Sequence, residues 1–305
     1  MLGKQPFAGL GNRLAGVVLA SAFCLSAGSA ARADPASVDQ SLLQIEQIHS
    51  RLQAVPTLVE GAAQAAQADG VRGVSDLKPL LEKAVAASFK ADAIEERLSE
   101  DLGTGGTIAA DSTAFAKAAQ AFAKASKAYG GQTAAISGEG LTPEVKSHLT
   151  DGESGARIAR LVEAMASPDL AGETAFTGQV MYVALETFTN SSAAELRDMS
   201  LDTLNQQMAG VLKTLRARTS NEKPLPKDVA RAQEKNRLAL MLANLAPDDL
   251  KALSDFYESD AGKAKREALV AGYRQASEDA NFKMLDAFFR QLSGQLKTNP
   301  KLHQN

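Results

Sequence analysis

Only one cysteine, Cys24, and no tryptophan occur in the 305 residues, and histidine is limited to His49, His148 and His303. Cys24 lies inside the apolar stretch 14–25 of an export leader, so a chain that loses this leader carries no thiol. Disulfides, thiolate catalysis and cysteine-ligated zinc are thereby excluded together, and such a chain must be held by its core alone. With so few histidines and no G-x-S-x-G segment, a nucleophilic serine would lack both its base and its elbow. Lysine and arginine form no cluster dense enough to grip phosphates, which argues against a nucleic-acid partner. After residue 25 no apolar run approaches the roughly 18–20 residues that span a bilayer, so no membrane span is expected in the mature chain. Alternation of apolar and polar residues is scarce too. The best strand candidate, Val180-Met181-Tyr182-Val183, reads more simply as a turn of buried helix.

What is present begins with the leader. Lys4 and Arg13 supply its basic start, and Ala31 and Ala33 place small residues at the two positions a signal peptidase reads. Cleavage is expected after Ala33, with Asp34-Pro35 opening the mature chain. Phe23 stands where a lipoprotein signal needs a small residue, so lipidation of Cys24 is not expected. The expected location is the periplasm. Loss of residues 1–33 leaves 272 residues and removes three basic groups (Lys4, Arg13, Arg32) and no acid, shifting the formal charge from −3 to −6. That length supports a sizeable core, and that charge is an ordinary aid to solubility.

Apolar residues recur three and four apart, the helical period. One stripe runs through Leu42, Ile45, Ile48, Leu52 and Val55, with Ser37 and Gln40 at capping-box spacing and Pro56 ending it. A second follows Ser75-Asp76 through Leu77, Leu80, Leu81, Ala84 and Val85, resumes after Phe89 through Ile94, Leu98 and Leu102, and closes at Gly103. Ala114-Phe115-Ala116-Lys117-Ala118 recurs as Ala121-Phe122-Ala123-Lys124-Ala125, and Ala128-Tyr129 begins a third copy. Rings one heptad apart on one face serve either a partner helix or intramolecular packing, and a run this short is read as packing. Further helices are expected at 143–150, 154–166, 178–189, 193–217, 227–245, 248–258 and 261–296. Residues 219–226 should be extended because Pro224 and Pro226 forbid helix. The fold class is all-α: a multi-helix bundle of antiparallel helices in two halves, 34–168 and 169–305.

The most patterned segment is Leu245-Ala246-Pro247-Asp248-Asp249-Leu250-Lys251-Ala252-Leu253-Ser254-Asp255-Phe256-Tyr257-Glu258-Ser259-Asp260-Ala261-Gly262. Proline and acids suit the first turn of a short helix, and Leu250, Leu253, Phe256 and Tyr257 make its buried face. Ser259 can cap the next helix, while Gly262 removes a side chain where two helices would collide. This corner, with its F-Y-x-S-x-x-G core, resembles one found in exported bacterial helical proteins of domain of unknown function 2059. The match covers roughly residues 238–275. The resemblance implies an all-helical periplasmic protein, and the family supplies no settled activity or catalytic residues. An earlier stretch, 141–155, resembles the same corner if short gaps pair Ser154 with Ser259 and Gly155 with Gly262, which would make the chain a degenerate internal repeat.

Chemistry-bearing candidates are few. Glu46 and His49 have the E-x-x-H spacing of di-iron bundles, yet a second such pair is lacking, since Glu144 to His148 is one residue too long. Gly103-Thr104-Gly105-Gly106-Thr107 resembles a phosphate loop in composition but lacks the G-K-[ST] ending and follows a helix. Phe256, Tyr257, Ser259 and Gly262 are read as a structural signature: ring in the core, hydroxyl on a backbone amide. No catalytic residue, metal or cofactor is assigned. The expectation is a non-enzymatic binding or scaffolding module whose partner is an envelope protein or a small ligand. Its rival is an enzyme or small-molecule carrier with a pocket between the helical halves, using Tyr257.

Overall fold

A computed structural model describes residues 38–103, 112–130, 142–190, 200–217 and 223–298. The leader with its cleavage site, the Ser37 cap, the glycine run 104–107 and His303 lie outside the described residues, as do residues 219–222 of the connector. The described chain is an all-α multi-helix bundle, and no strand occurs among the described residues. Nor is any of its helices long and apolar enough to cross a membrane.

The first expected stripe is two helices, α1 (Val38–Ile45) and α2 (Ile48–Ala54), broken at Glu46-Gln47. A 3-10 turn, Val55–Thr57, leads into α3 (Leu58–Ala68), and α4 (Val74–Ser88) and α5 (Ala91–Gly103) follow. The phenylalanine heptad forms α6 (Ser112–Gly130). Next come α7 (Pro143–Thr150), α8 (Gly152–Ala164), α9 (Ser167–Asn190) and α10 (Leu201–Ala217). Finally, α11 (Lys227–Leu242), α12 (Pro247–Glu258) and the 39-residue α13 (Asp260–Thr298) complete the described chain. Val180 to Val183 lie inside α9, as the helical reading of that run requires.

Buried apolar side chains gather into two clusters. The first takes Leu42, Ile45, Ile48 and Leu52 from α1 and α2, Phe115 and Phe122 from α6, Ile158 and Leu161 from α8, and the inner faces of α11 and α12. The second is built from α3, α4, α10 and the later parts of α9 and α13. Each cluster draws on both sides of residue 168. Among the described residues α9 and α13 place buried apolar side chains in both: Leu170 and Tyr273 lie in the first, Phe176 and Phe288 in the second, and the partly buried Ile94 of α5 packs against each.

Polar groups mark the passage between them. Glu173, 3 % exposed, accepts from Arg216 Nη1 at 2.5 Å and Arg274 Nε at 3.1 Å, and Asn281 Nδ2 donates to Thr177 Oγ1 at 3.2 Å. Phe115 and Phe122 are buried within the chain, Phe115 stacking on Phe256 with ring centroids 3.9 Å apart. These two rings of the heptad therefore serve intramolecular packing; the Tyr129 side chain lies outside the described residues.

Candidate functional site

The sequence signature builds a sharp corner between α12 and α13. Pro247 occupies the first turn of α12, where a missing N–H costs nothing. Ser259 alone joins the helices in an extended conformation, φ −71° and ψ 153°. Its hydroxyl donates to Phe256 O at 2.7 Å and accepts from Gly262 N at 2.9 Å, so one side chain satisfies an end of each helix. The need for Gly262 is stereochemical. A Cβ there would stand 1.9 Å from the Phe256 carbonyl oxygen, well inside contact distance. The obstruction is the backbone of the preceding helix, more specific than the side-chain collision expected from the sequence.

The α7–α8 junction is made the same way. Asp151 is the extended link, φ −62° and ψ 132°, and its carboxylate accepts from Ser154 N at 2.9 Å. A Cβ on Gly155 would stand 2.7 Å from Leu149 O. Both glycines follow the obstructing carbonyl by six residues. As the extended, capping link the counterpart of Ser259 is Asp151, not Ser154 as the gapped alignment has it, with Gly155 four residues after its link where Gly262 is three after.

Behind the corner lies a buried polar node. Phe256 and Tyr257 are each 1 % exposed, with rings edge to face. The Tyr257 hydroxyl donates to Glu46 Oε1, a carboxylate. Glu46 is fully buried. It also accepts from Ala166 N at 2.9 Å and Ser167 Oγ at 2.6 Å, placing a negative charge at the start of α9, where backbone N–H groups and the helix dipole favour it. Burial pushes the Tyr257 hydroxyl well above the usual tyrosine range, and the neighbouring Glu46 charge pushes the same way.

Gln47, next in line, has φ 55°, a left-handed conformation that costs a non-glycine residue free energy. Two bonds hold it there. Its Nε2 donates to Ser126 Oγ at 2.7 Å, and Arg237 Nη1 donates to its Oε1 at 3.1 Å. Arg51 donates from Nε to Glu46 O at 2.9 Å and from Nη2 to Glu234, which Arg237 also grips at 2.6 and 2.7 Å. Burial alone would raise the Glu234 carboxyl, but the two guanidiniums outweigh it and hold the group at about 2. A buried carboxylate between two arginines is compensated, as burial of charge requires.

The E-x-x-H pair separates. Because the chain turns at Glu46-Gln47, Glu46 points into the core while His49 is exposed, its Nδ1 2.7 Å from Glu95 Oε2. His148 pairs through Nδ1 with Ala243 O at 2.8 Å. Among the described residues no group of three or more His, Cys, Asp or Glu side chains is placed to hold a metal ion. Tyr257, on which an enzymatic reading leans, is closed off from solvent and bonded to a carboxylate; a phenol held protonated in this way is no ready base or nucleophile.

Sequence reasoning passed over Arg51 and Glu234. Their signal was present: Glu234 lies on the stripe Ala230, Leu238 and Met241, and Arg51 on the stripe Ile48, Leu52 and Val55. A charge on an apolar stripe calls for a buried partner. Comparison of the chain with protein-family models, curated proteins and solved structures finds no match.

Proposed function

We propose that the protein is an exported, non-enzymatic helical module that works in the periplasm by binding or scaffolding a partner of the cell envelope. The observation that carries this reading is the commitment of the corner. Tyr257, Ser259, Glu46 and Glu234, the groups best suited to chemistry, are each bonded inside the fold, where they join helices. The leader-like start of the chain supports export. Likeness to domain of unknown function 2059 is part of the proposal, supported by the stereochemical duties of Ser259 and Gly262 in the F-Y-x-S-x-x-G segment. Among the described residues Val229 is the one large apolar side chain that is exposed, so the contact with a partner is expected to be mostly polar.

Two measurements test the reading. Material recovered from the periplasm after expression of the full chain should have the intact mass of a chain beginning at Asp34; an uncleaved or Cys24-lipidated product overturns cleavage after Ala33, and absence of the protein from the periplasm overturns export. Reciprocal co-purification should return one envelope partner, captured equally by wild type and by Tyr257→Phe, whose hydroxyl is internal. Robust substrate turnover by the purified protein without any partner overturns the non-enzymatic role.

A further inference from the structure

We infer that α10 is a releasable strap, latched over the second core by the Arg216 side chain at its end. The helix packs on α9 and α13, yet among its described side chains only Met208 and Leu215 are buried, with Val211 and Leu212 partly covered beside them. Gln206, Gln207, Ala209, Gly210, Lys213 and Thr214 face solvent. Among the described side chains of this 17-residue helix, one narrow apolar stripe makes the attachment. Beneath it α3, α4, α9 and α13 also pack directly on one another through Val59, Leu77, Leu81, Val180 and Phe288, contacts that do not involve α10. Segments with few buried apolar contacts are those that open below the global unfolding free energy.

The polar attachment is concentrated at the end of the helix. Arg216 donates to Glu173 Oε2 at 2.5 Å and to Glu278 Oε1 at 2.7 Å, and its guanidinium lies 3.9 Å from the centre of the Phe176 ring. Glu173 keeps a second cation, Arg274, so loss of Arg216 does not strand a buried charge. The latch can be removed without dismantling what lies below. This strap does not depend on the non-enzymatic reading, since an opening segment serves an enzyme or a binding module alike.

The protein's scarcity of cysteine makes the test direct. In the full chain carrying Cys24→Ser, a lone thiol is introduced by Met208→Cys in the strap or, as a control, by Ala84→Cys on α4; both native side chains are buried. Native-state thiol labelling is then measured with and without Arg216→Met. Labelling at position 208 should accelerate by about ten- to hundredfold, the factor corresponding to a lost charge-assisted attachment, while labelling at 84 stays at its original rate. Glu278→Gln, which leaves the Glu173 bond in place, should give a smaller acceleration at 208 only. Equal acceleration at both positions would mean global loosening, and no acceleration at either would mean that Arg216 latches nothing. Each overturns the inference.

Discussion

The bond between Tyr257 and Glu46 joins the corner to the break between α1 and α2, and its contribution can be isolated. Tyr257→Phe leaves the buried ring against Phe256 and removes only the hydroxyl. Glu46 Oε1 then keeps Ala166 N, and Oε2 keeps Ser167, so no carboxylate oxygen is orphaned. The expected loss is that of one hydrogen bond to a charged group, about 1.5–3 kcal/mol. Tyr257→Ala adds the loss of the ring and should cost about 3–5 kcal/mol. Glu46→Gln keeps an oxygen on Ala166 N and the Tyr257 hydroxyl and turns its amide to the Ser167 hydroxyl, which can accept, so it converts charge-assisted bonds into neutral ones. Because the two residues touch, the double variant should lose less than the sum, with a coupling of about 0.5–3 kcal/mol. Urea unfolding at neutral pH, with a common m-value across the four proteins, measures this. The alkaline limb gives a second reading. A tyrosine whose folded value is raised contributes stability that is present below the unfolded value of 10.0 and lost as pH climbs past it, so Tyr257→Phe should soften that loss. Burial raises Tyr182 and Tyr273 too, so part of the limb should remain. A loss below about 0.5 kcal/mol for Tyr257→Phe, with strict additivity in the cycle, would refute the account.

The two corner glycines should rank by clearance: Gly262→Ala, at 1.9 Å from a carbonyl, should cost more than Gly155→Ala, at 2.7 Å, both within or above the usual overpacking range of about 1–3 kcal/mol in thermal unfolding. Ser259→Ala removes the cap and should cost about 0.5–2 kcal/mol by the same assay. Glu234, held at about 2 against an ordinary 4.5, contributes stability that is full above pH 4.5 and lost as pH falls toward 2. Glu234→Gln should therefore flatten the acid limb while costing about 3–5 kcal/mol at neutral pH, because Arg51 and Arg237 are left facing a neutral amide. Gln47→Gly should be more stable than Gln47→Ala by about 1–2 kcal/mol in denaturant unfolding, since both lose the side-chain bonds but only alanine keeps the left-handed strain.

Much of the helical framework is written in residue spacing, and the failures have physical causes. The expected helix 143–150 and the observed α7 coincide because a cap and a first-turn proline mark its start. Residues 58–68 were not read as a helix: α3 buries Gly61, Ala62, Ala63 and Ala66, small side chains that make a weak stripe. The first half of α9 escaped for the opposite reason. From Ser167 to Thr177 every residue is buried except the partly covered Asp169, Ala171 and Thr174, and a helix covered all round has no periodic face. The break at Glu46-Gln47 is set by Ser126 and Arg237, far along the chain, so no local pattern announces it. Ser259 and Gly262 are the reverse case, each residue type being demanded by contacts within a few positions. Phe256 and Tyr257 are legible as buried positions of a helical stripe, but the ring partner Phe115 and the hydroxyl partner Glu46, 211 residues from Tyr257, lie far along the chain.

The long helix α13 also sets an order of events for a chain that emerges amino end first. It supplies Leu269 and Tyr273 to one cluster and Met284, Leu285, Phe288 and Leu292 to the other, so neither can close before residues 260–298 have emerged. Until then α4, α5, α9, α10 and α12 lack the helix on which they pack, and both clusters remain incomplete. Both cores of a chain built this way are finished together, by one late segment.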